Sequence, residues 1–320
     1  MSSPTADWYH RAATRDLVGH SALHVAWAAG VAADDEVVAL LDRLPRERRQ
    51  PSLVFSVATY LGAPLEAYPG FRTWLVEHWP DVERETTTRR TQTNEVARCG
   101  PLVVALDRVT DRGGETAPIA LLEVGAAAGL CMIPDRYSYR FGTHPVVGDG
   151  TPLIEVAVSG DGIPPERIPA IAWRRGIDLN PLSAADSADR EWLEALIPLD
   201  RPDRRSRLRA ALATAEVDPP TVVAGDALDD LARVAADAPR DIPLVVVSLG
   251  TLVYLAPAAR AEFPKAVARL GARLVTLEAE GIADQTTART APERTGFVLA
   301  LDGEPIAQVS PHGDRLSWVG

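Results

Sequence analysis

The 320-residue sequence has only two cysteines, few lysines and no apolar run long enough to cross a bilayer. Cys99 and Cys131 belong to no CxxC pair, so no zinc site or redox motif is indicated and reduced thiols are expected. The longest apolar run, at 244–256, falls short of the roughly 20 residues that a membrane helix needs. The first residues lack the apolar segment of a signal peptide. We therefore expect a cytoplasmic protein without a membrane partner.

Positive charge is also scarce, since 33 basic residues face 44 acidic ones and the formal net charge is −11. Nucleic-acid backbones are bound by basic surfaces, so no nucleic-acid partner is expected. The basic run Arg204, Arg205, Arg207 and Arg209 lies in a predicted helix and is interpreted as its solvated face. No histidines show a metal-ligand spacing such as HExxH, and no metal is expected. Apolar residues reach 46 %, which is enough for a sizeable core.

The pattern of apolar residues predicts two domains. In 1–98, segments such as SALHVAWAAGVA and PSLVFSVATYLG repeat apolar residues every three or four positions, which predicts a helical N-terminal domain. TQTNEVARCGPLVVALDRV is predicted as one more helix, interrupted or restarted at Pro101.

Residues 99–320 predict an open α/β sheet of the Rossmann type. Short, continuously apolar runs are typical of strands buried on both faces of a parallel sheet, and here they are PIALLEVG, RRGIDLN, TVVAGD, PLVVVSLG and ARLVTLEAE. Helical segments separate most of them. The stretch at about 143–170 is rich in glycine and proline and is predicted to be a long insertion. GFVLALDGEPIAQVS and RLSWVG predict a C-terminal antiparallel hairpin at the edge of the sheet, with a turn at DGEP.

The stretch LLEVGAAAGL, at 121–130, places a carboxylate and two glycines where the first of these strands ends. Open α/β sheets bind ligands beyond the carboxyl ends of their strands, where small residues let a ligand approach the backbone. The dinucleotide pattern GxGxxG would need a glycine at Leu130, which argues against a nicotinamide oxidoreductase. Glu123, Gly125, Ala127 and Gly129 match the S-adenosylmethionine loop, acid-x-G-x-G-x-G, with one glycine replaced by alanine. Glu123 is then expected to face the ligand's ammonium group; the alternative is a strand-to-helix turn without a ligand.

Two further acids lie at the ends of the next predicted strands, and a helix is predicted after each of the three. Asp178 in GIDLNP is expected to accept both ribose hydroxyl hydrogens of the nucleoside. It follows Gly125 by 53 residues (178 minus 125) instead of roughly 20, and the insertion accounts for the excess. Asp226 in AGDALDDL is expected to bond an adenine amine, with Ala227 in apolar contact; the alternative for Asp226 is a helix N-cap. The predicted cofactor is S-adenosylmethionine.

Over nearly its whole length the sequence resembles a bacterial family known as domain of unknown function 2332. The resemblance lies in the segments PSLVFSVATYLG, QTNEVARC, LLEVGAAAGL, PDRYSYRFG, GIDLNPL, GDALDDL and SPHGDRLSW. It implies a methyltransferase-like fold. Members of this family usually carry a histidine after the fourth strand, where this sequence has Ser248, Leu249 and Gly250, so the resemblance also implies that chemistry dependent on that histidine is lost or different here.

A substrate is expected at the same mouth of the sheet. QTNEVARC supplies polar residues on a predicted helix, with Glu95 and Arg98 on one face, and is interpreted as a wall of the substrate site or, alternatively, as a surface ion pair. IPDRYSYRFG is expected to line the same cleft or to pack under the insertion. The predicted substrate contacts are Gln92, Asn94, Arg98, Asp135, Arg136, Tyr137 and Ser248. If the acceptor must lose a proton, Glu95 is the first candidate for the base and His312 in SPHGD the second, with a polar turn residue as the alternative for His312.

These features predict an S-adenosylmethionine-dependent methyltransferase that acts on a small molecule, in bacterial secondary metabolism. Methyl transfer from a sulfonium needs mainly alignment and desolvation of the acceptor, so a missing histidine does not exclude it. The alternative is a protein that keeps this fold for non-methyl chemistry, such as cyclisation or elimination, or that serves as a homo-oligomer or a non-catalytic partner subunit of an enzyme complex.

Overall fold

A computed structural model describes residues 3–92, 94–112, 115–282 and 296–319 of the chain. The chain forms two compact units, Met1–Thr93 with Ser187–Ser206 and Asn94–Asp186 with Arg207–Gly320. The first unit therefore takes in a short segment from the middle of the chain in addition to the N-terminal helices. No helix in the described ranges has both the length and the apolar character needed to cross a membrane.

The first unit is built from short α-helices with local sequence signals at their starts. Ser21 and Asp34 cap the second and third helices, because their side chains accept hydrogen bonds from the backbone N–H groups of His24 and Val37 at 2.9 and 3.1 Å. Proline stands in the first turn of four of the helices, where its missing N–H removes no helical bond. The helices are α1 Pro4–Arg11, continued by a π-helical turn at Ala12–Asp16, α2 Ala22–Ala32, α3 Asp35–Leu41, α4 Pro51–Tyr60, α5 Tyr68–Glu77 and α6 Trp79–Thr88.

Aromatic rings fill the core of the first unit. The rings of Trp27 and Phe71 stack with centroids 3.9 Å apart, and Phe55 meets both edge-on. Trp27 Nε1 donates to the carbonyl of Glu66 at 2.8 Å, so its one polar atom is satisfied. The helical pattern of this part of the sequence thus marks a buried aromatic face.

The stretch at 91–109, which crosses the boundary of the two units, differs from the single helix that the sequence predicts. The structure has a 3₁₀ turn at Val96–Arg98 and then α7, Cys99–Thr110, so the helix begins later than predicted. Pro101 lies in the first turn of α7, where it ends no helix. Asn94 and Glu95 lie before the helix in non-helical backbone, and the prediction of a helical face there was wrong.

The second unit contains a ten-stranded sheet and a separate two-stranded ribbon. Parallel pairing holds five consecutive strands of the large sheet together, β7–β6–β3–β8–β9, and the full order is β4-β5-β12-β11-β10-β9-β8-β3-β6-β7. The ribbon is β1 Asp111–Arg112 with β2 Glu115–Thr116. The large sheet comprises β3 Ile119–Val124, β4 Ser138–Phe141, β5 Leu153–Ser159, β6 Ile171–Asp178, β7 Val222–Ala224, β8 Leu244–Leu249, β9 Arg273–Ala279, β10 Phe297–Leu301, β11 Glu304–Val309 and β12 Arg315–Trp318.

The mixed α/β class and the mostly parallel sheet are confirmed. All six residues of β3 are buried, as a strand covered on both faces requires. One face packs on an apolar cluster that includes Leu122, Val246, Phe263 and Val267. The remaining α-helices in the described ranges are α8 Ser187–Ala195 in the first unit, α9 Pro202–Val217, which begins in the first unit and ends in the second, and α10 Leu231–Ala235 and α11 Pro257–Arg269 in the second.

Three local predictions for this unit were wrong. The stretch at 143–170 contains β5, which pairs in parallel with β4 and β12, so part of the predicted insertion belongs to the sheet. The C-terminal strands form an antiparallel meander with the predicted turn at Asp302–Gly303, but β5 and β4 continue the sheet beyond it, so the meander is not the edge. No α-helix follows the glycine turn, since 3₁₀ turns at Leu130–Met132 and Pro134–Arg136 lead directly to β4.

Candidate functional site at the carboxyl edge of the sheet

The chain passes from β3 outward to β6 and β7 and then returns to place β8 on the other side of β3. The order of the strands therefore reverses between β3 and β8, and such a switch point opens a crevice beyond the carboxyl ends of the two strands. β11 runs parallel to β9, because each pairs antiparallel with β10. Loops after β3, β6, β7, β8, β9 and β11 thus lie along the same edge.

Glu123, near the end of β3, is a buried carboxylate. Its exposed fraction is 2 %, and among the described residues its Oε2 has no hydrogen-bond partner. Burial raises the pKa of Glu123 well above its ordinary value; Cys131 and Asp178 raise this pKa further, and Arg98 opposes them. A buried carboxylate without a donor is costly in a folded protein, which marks Glu123 as a site that a cationic or hydrogen-bond-donating ligand would stabilise.

The turn after Glu123 has left-handed backbone at every second residue. Gly125, Ala127 and Gly129 have φ angles of +71°, +50° and +72°. The alanine that replaces the middle glycine of the motif therefore keeps the conformation of the turn. The Ala127 N–H donates to Asp178 Oδ2 at 2.8 Å, which holds the strained residue in place.

Gly125→Ala is expected to destabilise the second unit by about 2 kcal/mol. Its φ of +71° disfavours any side chain, and an added Cβ would lie 2.1 Å from Oγ1 of Thr251. The test is urea unfolding followed by circular dichroism, with Gly303→Ala as the control. Gly303 has a similar φ of +86° but nothing within 4 Å of the added Cβ, so its loss should be smaller. Equal losses in the two variants would show that the contact with Thr251 contributes nothing.

Asp178 ends β6 beside the glycine turn. Its Oδ2 accepts from Ala127 N and its Oδ1 from Asn180 N, both at 2.8 Å. The carboxylate thus ties the loops after β3 and β6 together. Its predicted contact with a ribose stays a prediction.

Asp226 follows β7 and is exposed. Its Oδ1 accepts from Leu228 N and Asp229 N at 2.8 and 3.2 Å, so it caps a turn. It is not the helix N-cap that the sequence offered as the alternative, because α10 begins at Leu231 and Asp230 holds its N-cap position. Ala227 packs against the apolar cluster under the sheet. The predicted adenine contacts of Asp226 and Ala227 stay predictions.

Glu278, near the end of β9, was not among the residues predicted from the sequence. Its exposed fraction is 1 %, and its Oε1 accepts from Ser248 Oγ at 2.6 Å and from three backbone N–H groups at 2.9–3.1 Å, those of Gly250, Thr251 and Leu252. Its Oε2 has no partner within the described part of the chain, and burial raises its pKa. The run TLEAE carries the signal that found Glu123 in LLEVG, an acid at the end of an apolar strand. Ser248, predicted as a substrate contact, thus orients Glu278.

The two residues predicted as bases, Glu95 and His312, lie together. His312 Nδ1 is 3.6 Å from Glu95 Oε2, and Arg207 Nη1 is 3.4 Å from Glu95 Oε1. Glu95 is buried, and His312 lies in the loop after β11. The surface ion pair between Glu95 and Arg98, an alternative from the sequence, does not occur: Arg98 instead donates to the carbonyls of Leu249 and Pro311.

The other predicted substrate contacts take separate places. Asn94 Oδ1 accepts from Leu130 N at 3.0 Å and Tyr137 OH donates to Leu130 O at 2.9 Å, so both brace the glycine turn. Asp135 forms a two-bond ion pair with Arg174, and Arg136 pairs with Asp218. Gln92 lies in the first unit, half-buried, after α6.

Together these features define a mixed α/β protein with a large, mostly parallel sheet and a cluster of acidic and basic side chains at its carboxyl edge. Residues 6–318 match the model of a bacterial family, and the chain belongs to that family, described as "Uncharacterized protein conserved in bacteria (DUF2332)". No curated protein and no solved structure matches the chain.

Proposed function

We propose that the second unit binds S-adenosylmethionine at the switch point of its sheet and transfers the methyl group to a small molecule. The observation that carries the proposal is the buried Glu123, whose Oε2 lacks a donor in the described structure. An ammonium group supplies the donors and the positive charge that this position lacks. The turn beside it has the spacing of the S-adenosylmethionine loop, with left-handed φ angles at Gly125, Ala127 and Gly129.

The neighbouring acids are compatible with a nucleoside. Asp178 lies next to the glycine turn, and its two oxygens accept from Ala127 N and Asn180 N. Asp226 uses only Oδ1 to cap its turn, and its carboxylate is exposed after the next strand. Separate contacts to ammonium, ribose and base at three adjacent strand ends are the arrangement that the proposal requires.

When bound, S-adenosylmethionine supplies an electrophilic methyl group, and the chain's own residues have to hold the acceptor and take up its proton. Glu95 and His312 are suited to the second task. Glu95 Oε2 lies 3.6 Å from His312 Nδ1, so a carboxylate and an imidazole, two groups that can take up a proton, stand side by side. The acidic net charge of −11 favours a small acceptor over a nucleic acid.

Titration calorimetry with S-adenosylmethionine and with its demethylated product, S-adenosylhomocysteine, tests the proposal. We expect the wild type to bind both ligands. Glu123→Gln should bind them about 30-fold or more weakly, because a neutral amide attracts the ligand's ammonium group less than a carboxylate does. Glu304→Gln, an exposed acid at the start of β11, is the matched control and should bind as the wild type does. A folded wild type that takes up neither ligand would refute the proposal.

The second candidate function is non-methyl chemistry on the same fold, or a role as a non-catalytic partner subunit. Two observations favour it. Ser248 is committed to Glu278 where relatives are expected to carry a histidine, and the glycine turn leads into 3₁₀ turns, so no α-helix directs its N-terminus at a ligand. Incubation with methyl-labelled S-adenosylmethionine and a bacterial metabolite extract separates the two: binding without any labelled product favours the second candidate.

A further inference from the structure

Arg98 is held at the carboxyl edge by groups that carry no charge. Its Nε donates to the carbonyl of Pro311 at 3.0 Å and its Nη1 to that of Leu249 at 2.6 Å. The ring of Phe297 covers one face of the guanidinium, with its centroid 5.1 Å from Cζ. These contacts fix the orientation of the planar guanidinium. They do not involve its Nη2.

Among the described residues, no carboxylate forms a salt bridge with Arg98, and its Nη2 has no acceptor. At longer range its charge opposes the raised pKa of Glu123 and of Glu278. The side chain is half-buried, and arginines removed from water are normally paired with an anion. A ligand carboxylate would complete the coordination, since it matches the planar fork of donors.

Arg98 and Glu123 lie near each other along two neighbouring strands. Glu123 on β3 stands beside Val247 on β8, and Leu249, which accepts from Arg98, is two residues further toward the open edge. Strands rise about 3.3 Å per residue, so Leu249 lies one strand across and roughly 7 Å further along than Glu123, and Arg98 Nη1 is 2.6 Å from its carbonyl oxygen. The charge of Arg98 also lowers the pKa of Glu123, which agrees with this placement. Gly250 permits this approach, because a Cβ there would lie 2.6 Å from Nη1.

We propose that Arg98 binds the carboxylate of the ligand's amino-acid end, so that Glu123 and Arg98 together form a receptor for a zwitterionic α-amino acid group. The acid takes the ammonium and the arginine takes the carboxylate of the same ligand. This inference rests on the proposed function and assigns Arg98 to the cofactor rather than to the acceptor.

The test compares S-adenosylmethionine with its decarboxylated analogue, which keeps the ammonium and the sulfonium but lacks the carboxylate. The wild type should bind S-adenosylmethionine about 10- to 100-fold more tightly than the analogue, the range for a charge-assisted bond. Arg98→Gln should lose that preference while its affinity for the analogue stays within about threefold. Arg98→Lys, which keeps the charge but not the fork, should retain part of the preference. Arg140→Gln removes an exposed arginine paired with Glu155 and should change neither affinity.

Equal affinity of the wild type for the two ligands would overturn the inference and leave S-adenosylmethionine binding intact. An equal loss for both ligands in Arg98→Gln, with an unchanged thermal midpoint, would also overturn it. If Arg98→Gln does not fold, the inference is tested by two other results. The wild type should prefer S-adenosylmethionine over the decarboxylated analogue, and Arg98→Lys should reduce this preference. If the wild type binds neither ligand, the proposed function itself is wrong, and the inference falls with it.

Discussion

Glu123→Gln should raise the free energy of unfolding of the ligand-free protein at pH 7–8 by about 1–3 kcal/mol, because it removes a buried carboxyl whose ionisation is unfavourable in the folded chain. In the folded chain burial raises the pKa of Glu123, with Cys131 and Asp178 adding to it, so ionisation at neutral pH opposes folding. Glutamine has the same shape and carries no charge. A substitution that stabilises the protein and abolishes ligand binding is the mark of a residue kept for function.

The sign of the pH dependence follows from the raised pKa. The protonated carboxyl favours the folded state below the unfolded value of about 4.3, and this contribution is lost as the pH rises through the folded pKa. The gain in Glu123→Gln should therefore be small near pH 4 and grow toward pH 8. Urea unfolding at several pH values measures it, with Glu304→Gln as a control that should match the wild type throughout. A Glu123→Gln protein that is less stable than the wild type at every pH would contradict this account.

Glu278→Ala should have the largest cost in stability, about 3–5 kcal/mol, because one buried oxygen serves four donors. Its loss leaves Ser248 Oγ and the N–H groups of Gly250, Thr251 and Leu252 without their acceptor. It also releases the loop after β8, in which Thr251 contacts Gly125. Urea unfolding at pH 7 measures the loss.

Two variants separate this network from simple cavity formation. Glu278→Gln keeps an acceptor oxygen at the same place and should retain most of the stability. Ser248→Ala removes one donor of the four and should cost about 1 kcal/mol. If Glu278→Ala unfolds at the same urea concentration as the wild type, the network has no stabilising role.

Features that depend on nearby residues were predictable at this site. The apolar run that ends at Glu123 predicted a strand buried on both faces, and the glycine spacing predicted a sharp turn that the structure places at left-handed φ. For Asp226 a local capping bond was predictable, because the side chain and its N–H donors are two or three residues apart, but it caps a turn and not the helix that follows. Glu278 had a comparable local signal in TLEAE.

Pairings between distant residues were not predictable. Arg98 reaches Leu249 and Pro311, which are 151 and 213 residues away in the chain, and no local pattern specifies either partner. The helix predicted over QTNEVARC failed for the same reason: Asn94 binds Leu130, and Glu95 lies against Arg207 and His312, so tertiary partners overrode the helical pattern.

The sequence by itself determined the buried strands, the turn at 125–129 and the acids that end the strands, because hydrophobic alternation, φ preference and capping act over a few residues. Only the tertiary structure decided that β5 joins the sheet through β12, that Glu95 faces His312, and that Arg98 binds the Leu249 carbonyl with no salt bridge to a described carboxylate. The reason is physical: strand order and charge pairing minimise the free energy of the whole folded chain, and segments hundreds of residues apart contribute equally to that minimum.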